Sequence, residues 1–116
     1  MTLRRLRKGA GMGLFVLSVA EDTFTIVNTA GIHLRPAQMI ARLSASFADC
    51  EVFASKDGVR ANAKSIMSII ELIGACGSQV AFEIRGERAD ECLGQLRALF
   101  ADGFGEEIDP QYQRPS

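Results

Sequence analysis

The spacing of the apolar residues alternates along this chain between the two-residue period of a strand and the helical period of about 3.6 residues, and this restricts the fold most. Val80, Phe82 and Ile84 alternate with polar neighbours, which predicts a strand that buries one face. Between Pro36 and Phe47 the apolar residues are spaced by four, three and four positions, which predicts a helix with one buried face. A chain that switches period in this way is expected to form an α+β fold, with helices covering one face of a sheet.

The remaining elements follow from β-branched runs, turn residues and helix signals. Residues 23–27 are rich in Thr, Ile and Val, which predicts a first strand. Asp57-Gly58 stands between two short apolar runs, 51–55 and 59–63, and this pattern is typical of a hairpin. A dense apolar run at 66–73 predicts the second helix. The predicted order is β-α-β-β-α-β-α, and the last helix turns three side chains inward, those of Leu93, Leu96 and Phe100.

Composition excludes several classes of protein. The 116 residues suit one domain, and 47% hydrophobic with 23% charged residues is typical of a globular chain. A formal charge of −1 lacks the basic footprint of a nucleic-acid binder, and no apolar run is long enough for membrane insertion. The three cysteines lack the spacing of a disulfide framework or a zinc site. The single histidine excludes a metal site that needs two imidazoles.

Charge is concentrated at the start of the chain. Residues 1–20 contain four basic residues and no acid, followed by an apolar stretch at 13–19. This outline matches a secretory signal, a disordered basic extension, or an upstream start with Met12 as the true start. The Gly- and Pro-containing segment 102–116 is expected to be a frayed tail. We therefore predict an extension at 1–20, a folded domain at 21–103 and a flexible tail at 104–116.

The only histidine, His33, stands in Gly31-Ile32-His33-Leu34-Arg35-Pro36-Ala37, at the predicted junction of a strand and a helix. A helix start presents unpaired backbone N–H groups and the positive end of the helix dipole, which together favour an anion. Arg35 adds a cation that can bind phosphate oxygens, and Pro36 suits the first turn because its missing N–H costs nothing there. An imidazole at this place is a candidate nucleophile beside a phosphate site, while a capping or packing role stays open.

A second motif, Asn62-Ala63-Lys64-Ser65-Ile66-Met67, precedes the second predicted helix. Ser65 is either a plain N-cap or a modification site, where a phosphate would place a charge of about −2 beside an apolar surface. The short helix cannot bury all of its apolar residues, so one or two are expected to be exposed near His33 as a docking patch. The run contains Ile66, Met67, Ile69, Ile70, Leu72 and Ile73.

These two motifs, in this order, resemble those of the HPr family of phosphocarriers in the bacterial phosphoenolpyruvate:sugar phosphotransferase system. The stretch from Gly31 to Ala37 is similar to the family's active-site motif Gly-Leu-His-x-Arg-Pro-Ala, and the stretch from Asn62 to Met67 is similar to its regulatory serine motif. The resemblance covers about residues 22–103 and includes the element order. It implies an open-faced β-sandwich, in which a four-stranded antiparallel sheet is covered on one face by three helices.

The resemblance also implies a function. His33 would accept a phosphoryl group on Nδ1 from phosphorylated Enzyme I and pass it to a IIA domain or protein. Arg35 would stabilise the phosphoryl group, and Pro36 would set the helix start. The chain would be a recycled carrier rather than a stand-alone enzyme, with no cofactor, because phosphoenolpyruvate is the ultimate phosphoryl source. A cytoplasmic monomer is expected.

Regulation and docking are implied in the same way. Ser65 would match the serine phosphorylated by the HPr kinase/phosphorylase. Partner contacts would fall on Ile66, Met67 and Ile70, and we expect basic Lys64 to contribute because residues 21–116 carry a net negative charge.

The sequence departs from the family pattern at two positions, and other functions stay open. Leu34 replaces the small residue often found after the histidine, and Ser68 stands where Gly is common. One alternative is the nitrogen-related branch, whose carrier passes phosphate to a regulatory IIA protein. Another is a regulatory binding module controlled through Ser65, with His33 secondary. A third is a small secreted domain.

Overall fold

The computed structural model describes residues 2–8, 15–72 and 74–113. These described residues form five strands and three α-helices in the order β-β-α-β-β-α-β-α. Two 3-10 turns follow the last helix, at Gly103–Gly105 and Pro110–Tyr112. The elements are β1 (Thr2–Lys8), β2 (Phe15–Thr25), α1 (Leu34–Ser46), β3 (Glu51–Lys56), β4 (Val59–Asn62), α2 (Ile66–Leu72), β5 (Gln79–Arg85) and α3 (Ala89–Ala101).

The strands form one antiparallel sheet in the order β1-β2-β5-β3-β4. Ile84 of β5 pairs with Ala20 of β2 on one side and with Val52 of β3 on the other. All three of these residues are buried, because the helices pack on this face of the sheet. The four strands β2 to β5 and the three helices confirm the open-faced sandwich that the family resemblance implies.

The predicted hairpin between β3 and β4 is confirmed. Asp57 and Gly58 form its two-residue turn, and their φ angles are 52° and 80°. Positive φ at both central residues gives the turn a twist that matches the strands, and an Asp-Gly pair favours it.

The start of the chain differs from the predicted extension. The first predicted strand covers only residues 23–27, whereas β2 begins at Phe15 and pairs with β1 from Lys8↔Phe15 to Thr2↔Glu21. The apolar stretch at 13–19 is rich in β-branched and aromatic residues, which suit a strand, and its part from Phe15 onward lies in β2. Residues 9–14 lie outside the described residues.

The segment after α3 also differs from the predicted frayed tail. Phe104 is fully buried and lies 4.9 Å from Phe100 between ring centroids. The backbone N–H of Thr29 donates to the carbonyl of Glu107, and that of Asp109 donates to the carbonyl of Val27, both at 2.9 Å. These contacts fasten the segment to the loop that precedes α1. Residues 114–116 lie outside the described residues.

Among the helices that the structure describes, none combines the length and the apolar character needed to cross a lipid bilayer.

Candidate functional site

His33 is the N-cap residue of α1, at the end of the loop that leaves β2. Its backbone is extended (φ −124°, ψ −164°), and its carbonyl accepts the N–H of Ala37 at 3.0 Å, which starts the helix. The imidazole makes no capping hydrogen bond, and 45% of the side chain is exposed. The capping role that the sequence left open therefore does not apply, and the ring is within reach of a partner.

Gly31 sets the direction in which the loop enters α1. Its φ is +72°, and a Cβ at this position would lie 2.8 Å from the carbonyl oxygen of Gly74. That carbonyl accepts the N–H of Ile32 at 3.0 Å, and the Ile32 side chain is buried. A side chain at residue 31 would strain the backbone and push this loop away from the loop that contains Gly74. Glycine is therefore required two residues before His33.

The carboxylate of Glu106 contacts the imidazole. His33 Nε2 lies 2.9 Å from Glu106 Oε2 and 3.1 Å from Oε1. An ionised carboxylate only accepts hydrogen bonds, so Nε2 carries a proton and donates the hydrogen bond. In the neutral ring this leaves the lone pair on Nδ1, which has no hydrogen-bond partner among the described residues.

Arg35 lies one residue into the helix and contacts the same carboxylate. Its Nη1 donates to Glu106 Oε2 at 3.1 Å and to the carbonyl of Phe104 at 2.9 Å. The side chain is 55% exposed, and a guanidinium has five N–H donors, so Nε and Nη2 remain available to an incoming anion. The structure thus brings His33 and Arg35 together, as the sequence predicts.

The side chain of Asn28 also binds the carboxylate of Glu106. This Asn28 side chain is fully buried, and Nδ2 donates to Glu106 Oε1 at 3.0 Å and to the carbonyl of Gly31 at 2.7 Å. One side chain therefore links the loop before His33 to the segment after α3. Oδ1 of Asn28 is buried without a partner among the described residues.

These three donors keep Glu106 ionised. Burial acts to raise the pKa of its carboxyl group, but the hydrogen bonds from His33, Asn28 and Arg35 outweigh that effect and hold the pKa below its ordinary value of 4.5. At neutral pH the site therefore contains a fixed negative charge beside the imidazole and the guanidinium.

Sequence reasoning missed both Glu106 and Asn28. Glu106 is 73 residues from His33, and it is held by a left-handed turn in which Gly103, Phe104 and Gly105 all have positive φ. The one available signal was Phe104, which follows Phe100 by four positions and so continues the buried face of α3.

The second predicted motif precedes α2. Ser65 Oγ accepts the N–H of Ser68 at 3.2 Å, so Ser65 caps this helix, while its side chain remains partly exposed. Lys64 Nζ donates to the carbonyl of Phe47 at 3.1 Å, at the end of α1. Ser65 and Lys64 thus lie where α2 meets α1.

The apolar run of α2 is divided between core and surface, as the sequence predicts. Ile69 is buried, Ile66 and Ile70 pack partly against the core, and Met67 is 65% exposed. Leu34, next to His33, is also exposed, at 57%. Because α2 packs against α1, these exposed side chains belong to the same two-helix layer as His33. Pro36 is buried in the first turn of α1.

Comparison with known proteins shows similarity to phosphocarrier proteins. Residues 20–102 match the family model described as "PTS HPr component phosphorylation site". The chain is 34% identical over 85 residues to the phosphocarrier protein HPr of Treponema pallidum. This alignment covers 73% of this chain and 96% of that protein. The chain is also 36% identical over 88 residues to the phosphocarrier protein NPr of Escherichia coli. This alignment covers 75% of this chain and 97% of that protein.

A solved structure shows the same fold. The crystal structure of HPr-C-His from Thermoanaerobacter tengcongensis aligns with a TM-score of 0.72 at 34% identity, over 77% of this chain and 99% of that one.

Proposed function

Since this chain belongs to the HPr and NPr family of phosphocarriers of the phosphotransferase system, we propose that His33 accepts a phosphoryl group from phosphorylated Enzyme I and passes it to a IIA component. The observation that carries this proposal is the exposed imidazole at the start of α1, with Nε2 held by Glu106 and Nδ1 unoccupied among the described residues. Components such as Enzyme I and IIA proteins are the family's general partners.

The chemistry is a transfer between two nucleophiles. The Nδ1 lone pair attacks phosphorus, a new N–P bond forms, and the bond to the donor breaks with its electron pair leaving on the donor atom. The first-turn N–H groups of Leu34 and Arg35 have no acceptor within the helix, so they can bind the phosphoryl oxygens together with the guanidinium. Catalysis of this kind is mostly positioning and charge stabilisation.

The exposed surface around His33 supports docking of a protein. Leu34 and Met67 are large apolar side chains exposed on the layer that α1 and α2 form, and Arg35, which follows Leu34 in the chain, contributes a cation. A carrier must release each partner after transfer, so we expect a small, transient interface here.

The proposal is tested by incubating the protein with Enzyme I and phosphoenolpyruvate. A phosphohistidine is labile in acid and stable in base, so the expected product is a phosphoprotein with both properties. Failure of the protein to become labelled by active Enzyme I, with a known carrier labelled in parallel, would overturn the proposal.

We expect Arg35→Ala to slow phosphoryl transfer about 100-fold, because it removes the cation beside the transferred group. Its cost in folding should be only about 1 kcal/mol, since an exposed ion pair contributes little and Glu106 keeps its contacts with His33 and Asn28. Rapid-quench kinetics and urea unfolding measure the two effects. Arg42→Ala, which removes an exposed arginine further along α1, is the control and should change neither. Transfer at the parent rate in Arg35→Ala would remove Arg35 from the mechanism.

We further propose that phosphorylation of Ser65 by a kinase of the HPr kinase/phosphorylase type regulates docking. Support comes from its partly exposed hydroxyl at the start of α2, next to exposed Met67. A phosphate there would place negative charge beside an apolar docking surface.

Ser65→Asp should accordingly weaken Enzyme I docking about tenfold, because it adds charge to this surface. Ser65→Asn retains an N-cap without the charge and is the matched control. The Michaelis constant for the carrier in the Enzyme I assay measures the effect. Equal constants for the Asp and Asn variants would count against regulation through Ser65.

The similarity to an NPr favours a second candidate, a carrier of the nitrogen-related branch. Transfer from phosphorylated protein to a sugar-specific IIA and to a nitrogen-regulatory IIA, compared at equal concentrations, discriminates the two branches.

A further inference from the structure

We propose that Glu106 is a positioning residue for His33, and that it determines which imidazole nitrogen receives the phosphoryl group. This inference rests on the proposed function of His33 and names the residue that directs its chemistry. Glu106 lies outside the matched family segment, which ends at residue 102.

The contact geometry selects one nitrogen. Both carboxylate oxygens of Glu106 lie within 3.1 Å of His33 Nε2, so this nitrogen is protonated and covered by a negative charge. An incoming phosphoryl group is itself anionic, so attack from Nε2 would require the loss of that hydrogen bond and the approach of like charges. Nδ1 keeps its lone pair and is the nitrogen left to react.

The contacts of the Glu106 side chain hold it in the position that keeps Nε2 of His33 protonated. Asn28 and Arg35 occupy the remaining acceptor positions of its carboxylate, and the side chain is only 18% exposed. The buried ring of Phe104 fixes the turn two residues earlier. A change of rotamer at Glu106 would therefore break several hydrogen bonds at once.

The contact also suits the phosphorylated state. After transfer, the N–P bond is on Nδ1 and Nε2 keeps its proton, so the hydrogen bond to Glu106 is retained. Arg35 can bind the phosphoryl oxygens through Nε and Nη2 while Nη1 stays on Glu106 and the Phe104 carbonyl. An acidic residue that holds one imidazole nitrogen so that the other can react is a known arrangement in hydrolases.

The test uses a small phosphoryl donor, so that it does not depend on docking of a partner. Potassium phosphoramidate transfers its phosphoryl group to imidazole: a histidine N–P bond forms, the donor's P–N bond breaks, and its nitrogen leaves as ammonia. The two phosphohistidine isomers are distinguished by ³¹P and ¹H–¹⁵N NMR of the intact protein. The full-length parent, Glu106→Ala, Glu106→Gln and Glu107→Ala are compared.

In the parent the product should be the Nδ1 isomer. In Glu106→Ala the ratio of Nδ1 to Nε2 product should fall about tenfold or more, which corresponds to the loss of a charge-assisted hydrogen bond. Glu106→Gln keeps the size of the side chain without its charge and should lower the ratio in the same direction. Glu107→Ala removes the exposed neighbouring acid and should match the parent.

An unchanged ratio in both Glu106 variants, with their folds intact by circular dichroism, would overturn the inference and leave the proposed function standing. An Nε2 product in the parent would overturn it as well. Failure of Enzyme I to label the parent would instead overturn the proposed function, because the phosphoramidate result does not involve Enzyme I.

Discussion

His33→Ala should abolish phosphoryl acceptance from Enzyme I completely, because it removes the only imidazole in the chain. The cysteine thiols are poor substitutes as nucleophiles. Burial raises the pKa of Cys92 to about 12 and also raises that of Cys50, so neither forms a thiolate at neutral pH. The pKa of the partly exposed Cys76 is raised by desolvation and by Asp109.

The same substitution should leave folding nearly intact, with a loss of less than about 1 kcal/mol. The His33 side chain caps nothing, and Glu106 retains its bonds to Asn28 and Arg35. Labelling from phosphoenolpyruvate and urea unfolding, measured on one preparation, separate the two effects. Acid-labile label that persists on a folded His33→Ala protein would show that another residue is the acceptor.

Phe104→Ala should destabilise the domain by about 3–5 kcal/mol, the usual cost of removing a fully buried aromatic ring. Phe104 packs edge-on against Phe100 at 4.9 Å, and Phe100 in turn lies 5.3 Å from Phe24 and 5.6 Å from Phe82. Its φ is 58°, and alanine also carries a Cβ, so the substitution leaves a cavity without relieving the backbone strain.

Equilibrium unfolding in urea measures this loss. Tyr112→Ala, which removes a partly exposed ring from the next turn, is the comparison and should cost about 1 kcal/mol. A loss below 1 kcal/mol in Phe104→Ala would contradict the packing of residues 103–105 against the core. The folded fraction of the variant should also transfer phosphate more slowly, because the turn that holds Glu106 loses its anchor.

Local chemistry allowed much of the fold to be predicted from the sequence. The Asp57-Gly58 turn, the alternation through β5 and the spacing along α1 are each decided by neighbouring residues, and each is confirmed. The placement of His33 and Arg35 at a helix start was predictable for the same reason, since both lie within a few residues of the N-cap.

The features that could not be predicted from the sequence depend on contacts between distant parts of the chain. Gly103 and Gly105 are typical of a frayed end in sequence, but here they flank Phe104 in a left-handed turn that glycine tolerates. Glu106 is one acid among fourteen, and nothing near it in sequence marks it as a partner of His33. Strand β1 was missed because its pairing depends on the backbone of β2 rather than on a clear alternation of its own.

The link between Glu106 and His33 has a consequence for how the protein matures on the ribosome. His33 is synthesised 73 residues before Glu106. Because domains generally fold as units, a nascent chain that already contains its histidine lacks the acid that orients it. The imidazole ring acquires its final hydrogen bond only after residue 106 has been made, so chains interrupted before that residue are expected to be poor phosphoryl acceptors.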